Sequence, residues 1–352
     1  MKFKGLSLAM RLRGCVTLLL GCALVFYSLP LHLAAQQSEK EISPAVMGGL
    51  RRAEKDAAVR ADARKMALES ERARFEPFAT ALLNSLKTAG VDLDGYLTAS
   101  KQFVETPPEK ITQGAIDGVN QKFAGPIRDA IAKTVGVPGL ADILQGTQLG
   151  PAPGPPGQPQ PTGGGGAASC CSTNRFEPPF QGPFTEGDWG ARAISPGETR
   201  QLVASVRSAI AGAPHRLERA GRSFTVPATA RHVSVTVNLG TNWVIGLSGL
   251  GYAHVWLGLD MDVSTASGAM VCGAPHLEQD NQLTWAGGSL TLFDHRPGPS
   301  ITRTCVFDRS AGDPTEYAAN VSASTDGTFI GASGGYGTYY VDLGAVDVTT
   351  CP

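Results

Sequence analysis

Hydrophobic and polar residues alternate along much of residues 223–350, which is the pattern of β-strands that bury one face. Residues 232–239 alternate, with Val233, Val235 and Val237 on one face, and an apolar set with the same period of two runs through 252–263: Val255, Leu257, Leu259 and Met261. Side chains of a strand point alternately to opposite faces, so each run predicts a half-buried strand. Further strands are predicted at 242–247, 268–273, 282–294, 300–308, 317–322, 328–330 and 339–350, with a hairpin turn at Asp326-Gly327.

Many short strands with Gly-rich turns and no interleaved helices predict an antiparallel β-sandwich, jelly-roll-like, for residues 170–352. One helix is expected before these strands. Ser195-Pro196-Gly197-Glu198 has the form of a helix-capping box with proline at the first helical position. The apolar stripe that would follow, up to Gly212, consists of Leu202, Val203, Val206 and Ile210.

Residues 38–147 have a different, helical pattern. The stretch 44–75 is built from strong helix formers, and its apolar face is thin, with Val59, Met66 and Ala73 spaced by seven. A helix of this kind either crosses solvent on its own, is stabilised by charge pairs along its surface, or packs against a partner helix. The third alternative includes self-association of the chain through this region. We expect Pro77 to end or kink it, and shorter helices, interrupted at Gly125-Pro126, to complete a small bundle.

Asp92, Asp94 and Gly95 fit three positions of a calcium-binding loop. Gly90 and Lys101 stand where that loop needs its first and last ligands, and neither side chain supplies a carboxylate. The stretch therefore predicts a capped loop that leads into a short helix.

Proline and glycine dominate residues 148–169, which cannot form a packed core and predict a flexible linker. The chain is thus expected to be an α+β multidomain protein. Its predicted parts are a signal peptide at 1–35, a helical region at 38–147, the linker at 148–169 and the disulfide-containing β-domain at 170–352.

The N-terminal segment has the three parts of an export signal. Basic residues precede an apolar run at 15–31, and Ala34-Ala35 offers a small-residue cleavage site. A lipoprotein cleavage box ending at Cys22 and an uncleaved membrane anchor are the alternatives; the anchor is disfavoured because Pro30 interrupts a run that is short for a bilayer. The predicted location is therefore secreted, periplasmic or in the cell envelope.

Export gives the remaining cysteines a structural meaning, because an oxidising compartment favours disulfides. The mature chain would keep five, all after the linker: Cys170, Cys171, Cys272, Cys305 and Cys351. One of the vicinal pair is expected to bridge to Cys351 and tie the two ends of the β-domain together, and Cys272 is expected to pair with Cys305. One of the five is then left over.

The charge distribution argues against nucleic acid as a partner. The whole chain has a net charge of −1, and residues 172–352 carry 11 Arg, no Lys and 16 Asp plus Glu. A nucleic-acid surface needs a local excess of cations to neutralise phosphates. The β-domain is instead mildly acidic.

Two motifs could carry chemistry. Gly331-Ala332-Ser333-Gly334-Gly335 fits the G-x-S-x-G pattern of serine hydrolases, but a predicted strand follows where that motif requires a helix, so a Gly-rich segment between strands is expected. His254, Asp260 and Asp262 share one strand face and could bind a metal or act as acid and base. A solvated polar face is the competing interpretation, and a structural calcium ion, held by Asp260 and Asp262 or another acidic loop, is the cofactor to consider.

An exposed row of aromatic side chains would suit stacking on sugar rings. The candidate ligand-binding set lies partly on the polar face of its strand: Tyr252, His254, Trp256 and Tyr336. The leading functional prediction is an exported, non-catalytic binding or adhesion protein that recognises a glycan or an envelope protein. The alternatives are a secreted polysaccharide hydrolase or lyase, and a structural component of the envelope.

Overall fold

The computed structural model describes residues 42–133, 170–187, 191–195, 197–209, 211–284, 290–297 and 300–352. The helices are α1 (Pro44–Thr88), α2 (Leu93–Glu105) and α3 (Gln113–Lys133), with a 3-10 turn at Pro108–Lys110. The strands are β1 (Ser172–Phe176), β2 (Phe180–Gly187), β3 (Ala191–Ile194), β4 (Glu198–Thr199), β5 (Gln201–Ser208), β6 (His215–Thr225), β7 (His232–Thr265), β8 (Met270–Gly273), β9 (Leu277–Thr284), β10 (Leu290–Pro297), β11 (Ile301–Asp308) and β12 (Glu316–Cys351).

Two very long strands form the middle of the sheet. β7 has 34 residues and β12 has 36, and they pair antiparallel from the His232–Cys351 end to the Thr265–Tyr317 end. The predicted hairpin turn at Asp326-Gly327 is wrong, because both residues lie inside β12 and pair with Trp256 and Val255. The short strands predicted in these two regions are therefore parts of two continuous strands.

Shorter strands extend the sheet on both sides. On the edge away from β7, β12 pairs with β6, β5 and β1. On the edge away from β12, β7 pairs with β8, β9, β10 and β11. Beyond β6 lies β2, which pairs with β3 and β4. All pairings that define this sheet are antiparallel. Among the described residues, the predicted antiparallel β fold is confirmed as one curled sheet of twelve strands.

The helix predicted after Ser195 is wrong. Residues 198–199 and 201–208 form β4 and β5 instead, and β5 pairs with the part of β12 from Gly335 to Asp342. Leu202, Ala204 and Val206 are buried at every second position. The spacing of the apolar residues in this stretch is compatible with either a helix or a strand. Pairing with β12 selects the strand.

One face of the sheet encloses the main core. The predicted inward residues of β7 are buried there with those of β12, as Val255, Leu257, Val321 and Val341 illustrate. This confirms the period-two pattern of the sequence. The curl of the sheet brings the two long strands' inner faces into one hydrophobic cluster.

The helices cover part of the opposite face. The first turns of α1 pack with Phe184, Leu217 and Ala318 of the sheet. The end of α1 packs with α2, α3 and the strand residues Leu250 and Ala332. The helices and the sheet therefore share hydrophobic clusters, whereas the sequence suggested a separate small bundle.

Both prolines expected to interrupt helices lie inside them. α1 continues through Pro77, and α3 continues through Pro126. An internal proline removes one backbone hydrogen bond and crowds the preceding turn. In α1 the hydrophobic contacts at both ends of the helix hold it against the sheet and offset that cost. The capped loop at Asp92 is confirmed, since its carboxylate accepts a hydrogen bond from the Gly95 backbone N–H at 2.9 Å.

Both predicted disulfides are present. Cys171 is bonded to Cys351, and Cys272 is bonded to Cys305. Cys170 is the free, exposed cysteine among the described residues. The predicted signal peptide at 1–35 and the linker at 148–169 lie outside the described residues. Within the described ranges, no helix combines the length and the apolar character needed to cross a membrane.

Candidate ligand-binding cleft

The serine of the G-x-S-x-G motif is not accessible. Ser333 lies inside β12, fully buried, and its cross-strand neighbour is Gly249. A nucleophile needs an exposed position on a strand-to-helix turn, which this continuous strand does not provide. The expectation of a Gly-rich segment in β structure agrees with this placement.

The four candidate ligand-binding residues are mostly buried. Tyr252 and His254 are about one-twentieth exposed, and the Tyr252 hydroxyl lies 3.0 Å from His254 Nδ1. Tyr336 packs against Phe103 of α2, and burial raises the pKa of its phenol. Trp256 alone of the four is only partly buried, and its ring centroid lies 3.7 Å from that of His254. The structure therefore does not present these residues as an exposed aromatic row.

The carboxylate of Asp262 is paired with two arginine side chains. Arg219 donates to its carboxylate at 2.5 Å, and Arg52 of α1 approaches the same oxygen at 2.8 Å. The Asn320 amide donates to the other oxygen at 3.1 Å. Asp260 is bonded separately, to His276 Nδ1 at 2.7 Å. In the part of the chain that the structure describes, no group of three or more His, Cys, Asp or Glu side chains is placed to hold a metal ion.

Cross-strand pairing assembles a lattice of polar side chains on the helix-covered face. Residues directly opposite in a ladder share a face, and alternate residues along a strand share it too. On β12 the face carries Asn320, Ser322, Ser324 and Asp326. Their partners on β7 are Asp262, Asp260, Gly258 and Trp256, and their partners on β6 are Gly221, Arg219, Leu217 and His215.

A cleft of about 650 Å³ opens above this lattice. One wall is α1, which contributes Arg52, Ala53 and Asp56. The opposite wall is the segment 273–276, between β8 and β9, which ends in His276. The floor carries hydroxyl, carboxylate, imidazole and guanidinium groups, and we call this feature the α1–sheet cleft.

Two histidine–carboxylate pairs flank the serines of the floor. His276 Nδ1 pairs with Asp260, and both side chains are about half-exposed. On the β6 side, His215 Nδ1 is hydrogen-bonded to Asp326, and both are buried. Ser324 is half-buried in the row between these pairs, opposite Gly258 and Leu217.

The accessible charge of the cleft is mixed. Arg52 and Arg219 are held on Asp262 at the floor, whereas the carboxylates of Asp56 and Asp260 are about half-exposed. Such a surface offers hydrogen-bond donors and acceptors side by side. It suits a ligand that carries both kinds of group.

Sequence reasoning identified Asp260 and Asp262 but missed their partners. His276 is separated from Asp260 by 16 residues, and Arg52 is separated from Asp262 by more than 200. No local spacing encodes such contacts. The sequence did show that Asp260, Asp262 and His254 share one face of a strand. That pattern predicts a polar surface, but it does not show that α1 and the segment at His276 enclose it.

Comparisons with known proteins identify no family. No family model matches the chain, and no curated protein matches it. A structure of the infectious bursal disease virus Gx strain is similar at 13% identity and a TM-score of 0.13, over 47% of this chain and 45% of that one. Carbohydrate-binding modules from the β-sandwich superfamily are similar at 12% identity and a TM-score of 0.15, over 47% and 57%.

The enzymatically active domain of bacteriophage CBA120 tailspike protein 4 is similar at 8% identity and a TM-score of 0.14, over 41% of this chain and 19% of that one. The chain thus spans less than two thirds of each of these structures. At such TM-scores the similarities carry no argument about function.

Proposed function

We propose that this chain is an exported binding protein that recognises a saccharide in the α1–sheet cleft. The observation that carries the proposal is the floor of the cleft, where serine hydroxyls, carboxylates and guanidinium groups lie side by side. Sugar hydroxyls both donate and accept hydrogen bonds, so a surface of this composition can pair with several of them. Export is supported by the N-terminal sequence pattern and by two disulfides.

The shape of the site also fits a ligand of limited size. Ligand sites of small molecules are concave, with volumes of a few hundred to about 1,000 Å³ and a few polar groups that fix orientation. The α1–sheet cleft, at about 650 Å³, lies within that range of volumes. This arrangement favours a short oligosaccharide segment.

The test is binding of the oxidised protein to a panel of neutral and acidic oligosaccharides by calorimetry. Specific binding is expected, and Asp56→Asn should weaken it at least several-fold because this carboxylate lines the cleft. Glu54→Gln is the matched control: an exposed carboxylate of the same helix that does not line the cleft. Absence of binding, or equal losses in both variants, would overturn the proposal.

A further inference from the structure

A second pocket, of about 850 Å³, lies next to the α1–sheet cleft. Its walls are the first three turns of α1 and the turn at 266–269, which connects β7 to β8. Arg52 lines both the pocket and the cleft, and Met270, the residue after this turn, lines the cleft. The two cavities therefore follow one another along α1, and we call the second one the N-terminal pocket.

Backbone contact holds the two walls of the N-terminal pocket together. Gly268 has a φ of +81°, and a Cβ on it would lie 2.6 Å from the Gly48 carbonyl oxygen. Met47, beside this contact, is buried in the cluster that joins α1 to the sheet. A pocket whose walls are already in place costs little ordering when a ligand binds.

Among the described residues, every charged side chain that lines the N-terminal pocket is cationic: Arg51, Arg52 and Lys55. The charge of Arg52 is engaged at the cleft by Asp262, at 2.8 Å. Arg51 and Lys55 are exposed and supply the accessible positive charge of the pocket. The lining of the α1–sheet cleft, in contrast, includes three carboxylates.

Lys55 has no neutralising partner on its own helix. Side chains three and four residues apart are neighbours on a helix surface. At these positions Lys55 has Arg51 and Arg52 before it and two apolar residues after it. In the part of the chain that the structure describes, no ion pair includes Lys55, and its two cationic neighbours repel it. An anion bound beside Lys55 would replace a repulsion by an attraction.

We propose that the ligand of the cleft is an acidic saccharide whose carboxylate or sulfate group binds in the N-terminal pocket, against Lys55 and Arg51. The inference rests on the proposed function for the saccharide, and on the charge of the pocket for the acidic group. An arginine guanidinium can pair with two oxygens of such a group, and a lysine ammonium adds a point charge.

The two cavities together set the direction of the ligand. The sugar hydroxyls pair with the polar groups of the cleft floor, whereas Asp56 and Asp260 repel an acidic group there. The N-terminal pocket attracts the same group. Charge complementarity of this kind gives orientation and specificity more than affinity. The saccharide therefore lies along α1 with its acidic group towards the start of the helix.

The test compares matched charged and uncharged saccharides by calorimetry on the oxidised protein. One pair is hexagalacturonate and its methyl ester, which isolates the carboxylate. The other pair is a κ-carrageenan hexasaccharide and its desulfated form, which isolates the sulfate. We expect the charged member of one pair to bind about tenfold more tightly than its uncharged form, and this preference to shrink as the salt concentration rises.

Lys55→Gln should weaken binding of the charged saccharide by up to about fivefold, the usual range of an exposed ion pair, and Lys55→Glu should weaken it further. Both variants should leave binding of the uncharged form unchanged. Lys87→Gln is the matched control, because Lys87 is an exposed lysine of the same helix that does not line the pocket. Equal binding of both members of each pair, or equal losses in Lys55→Gln and Lys87→Gln, would overturn the inference and leave the proposed function standing.

A second measurement tests the anion site even if no saccharide binds, an outcome that contradicts the proposed function. Acetylation of the lysines is followed by mass spectrometry in sodium sulfate and in sodium chloride at equal ionic strength. Sulfate is expected to slow the acetylation of Lys55 and to leave that of Lys87 unchanged. The same rates in the two salts at both lysines would contradict the anion site itself.

Discussion

Asp262 joins α1 to the sheet at the scale of a single residue. Its carboxylate is the common partner of Arg52 from the helix and Arg219 from β6, and its side chain is 9% exposed. Burying charges costs free energy unless they are paired, and removing one member of a buried group leaves the others with that cost. The cluster therefore stabilises the packed helix only while the carboxylate is present.

Asp262→Ala is expected to lower the free energy of unfolding by about 3–5 kcal/mol, because two largely buried guanidinium groups lose a shared partner. Urea denaturation of the oxidised chain measures it. Asp56→Ala, which removes an exposed i,i+4 partner of Arg52 at 3.6 Å, should cost less than about 1 kcal/mol. Equal midpoints for the two variants would contradict the role of Asp262.

At the scale of elements, α1 lies directly on the turn that follows β7. A Cβ on Gly48 would meet the Ala266 carbonyl oxygen at 2.5 Å and the Gly268 amide nitrogen at 2.7 Å. These atoms belong to backbone, so no side-chain rotation can relieve the overlap. The absence of a side chain at Gly48 thus sets how closely the helix approaches the sheet, and hence the position of the cleft wall.

Gly48→Ala is expected to destabilise the protein by about 1–3 kcal/mol, because the helix must move away from the turn. Gly118→Ala in α3 is the matched control: no atom lies within 4 Å of its Cβ, so the gain in helix propensity should stabilise by about 0.5–1 kcal/mol. Thermal unfolding of both variants provides the measurement. Changes of the same sign would argue against the close approach of α1.

At the scale of the whole molecule, the Cys171–Cys351 bond connects the residue before β1 to the last residue of β12, across 180 residues. β1 is largely exposed and pairs only with β12 among the described strands. A cross-link over such a long loop restricts the unfolded chain strongly in the loop-entropy description. The bond therefore holds β1 on the end of β12.

Cys351→Ser is expected to cost about 2–5 kcal/mol of unfolding free energy under oxidising conditions. Cys170→Ser, which removes the free neighbour, should leave stability and the Cys171–Cys351 peptide unchanged in non-reducing mass spectrometry. A loss of that disulfide in Cys170→Ser would show that the vicinal cysteines exchange.

The sequence by itself determined the features that depend on local period and chemistry. The alternation of valine in β7 located the strands and their buried face, and Asp92 identified a helix start. The number and placement of the cysteines predicted the Cys272–Cys305 bond and a bond from Cys351 to one of the vicinal pair, and the structure shows that this partner is Cys171. The strand pattern and the helix start depend on residues close together in the sequence, and the disulfides depend on the small number of cysteines.

Only the tertiary structure decided the features that depend on which segments meet. Residues 201–208 could be helix or strand, and pairing with β12 made them a strand. The dipeptide Asp326-Gly327 is typical of a turn, but β12 continues through it because it pairs with β6 on one side and β7 on the other. The cleft requires α1, β7, β12 and the segment at His276 together. Long-range hydrogen bonds and packing make these choices, and the free energies involved exceed the local preferences that a sequence pattern reports.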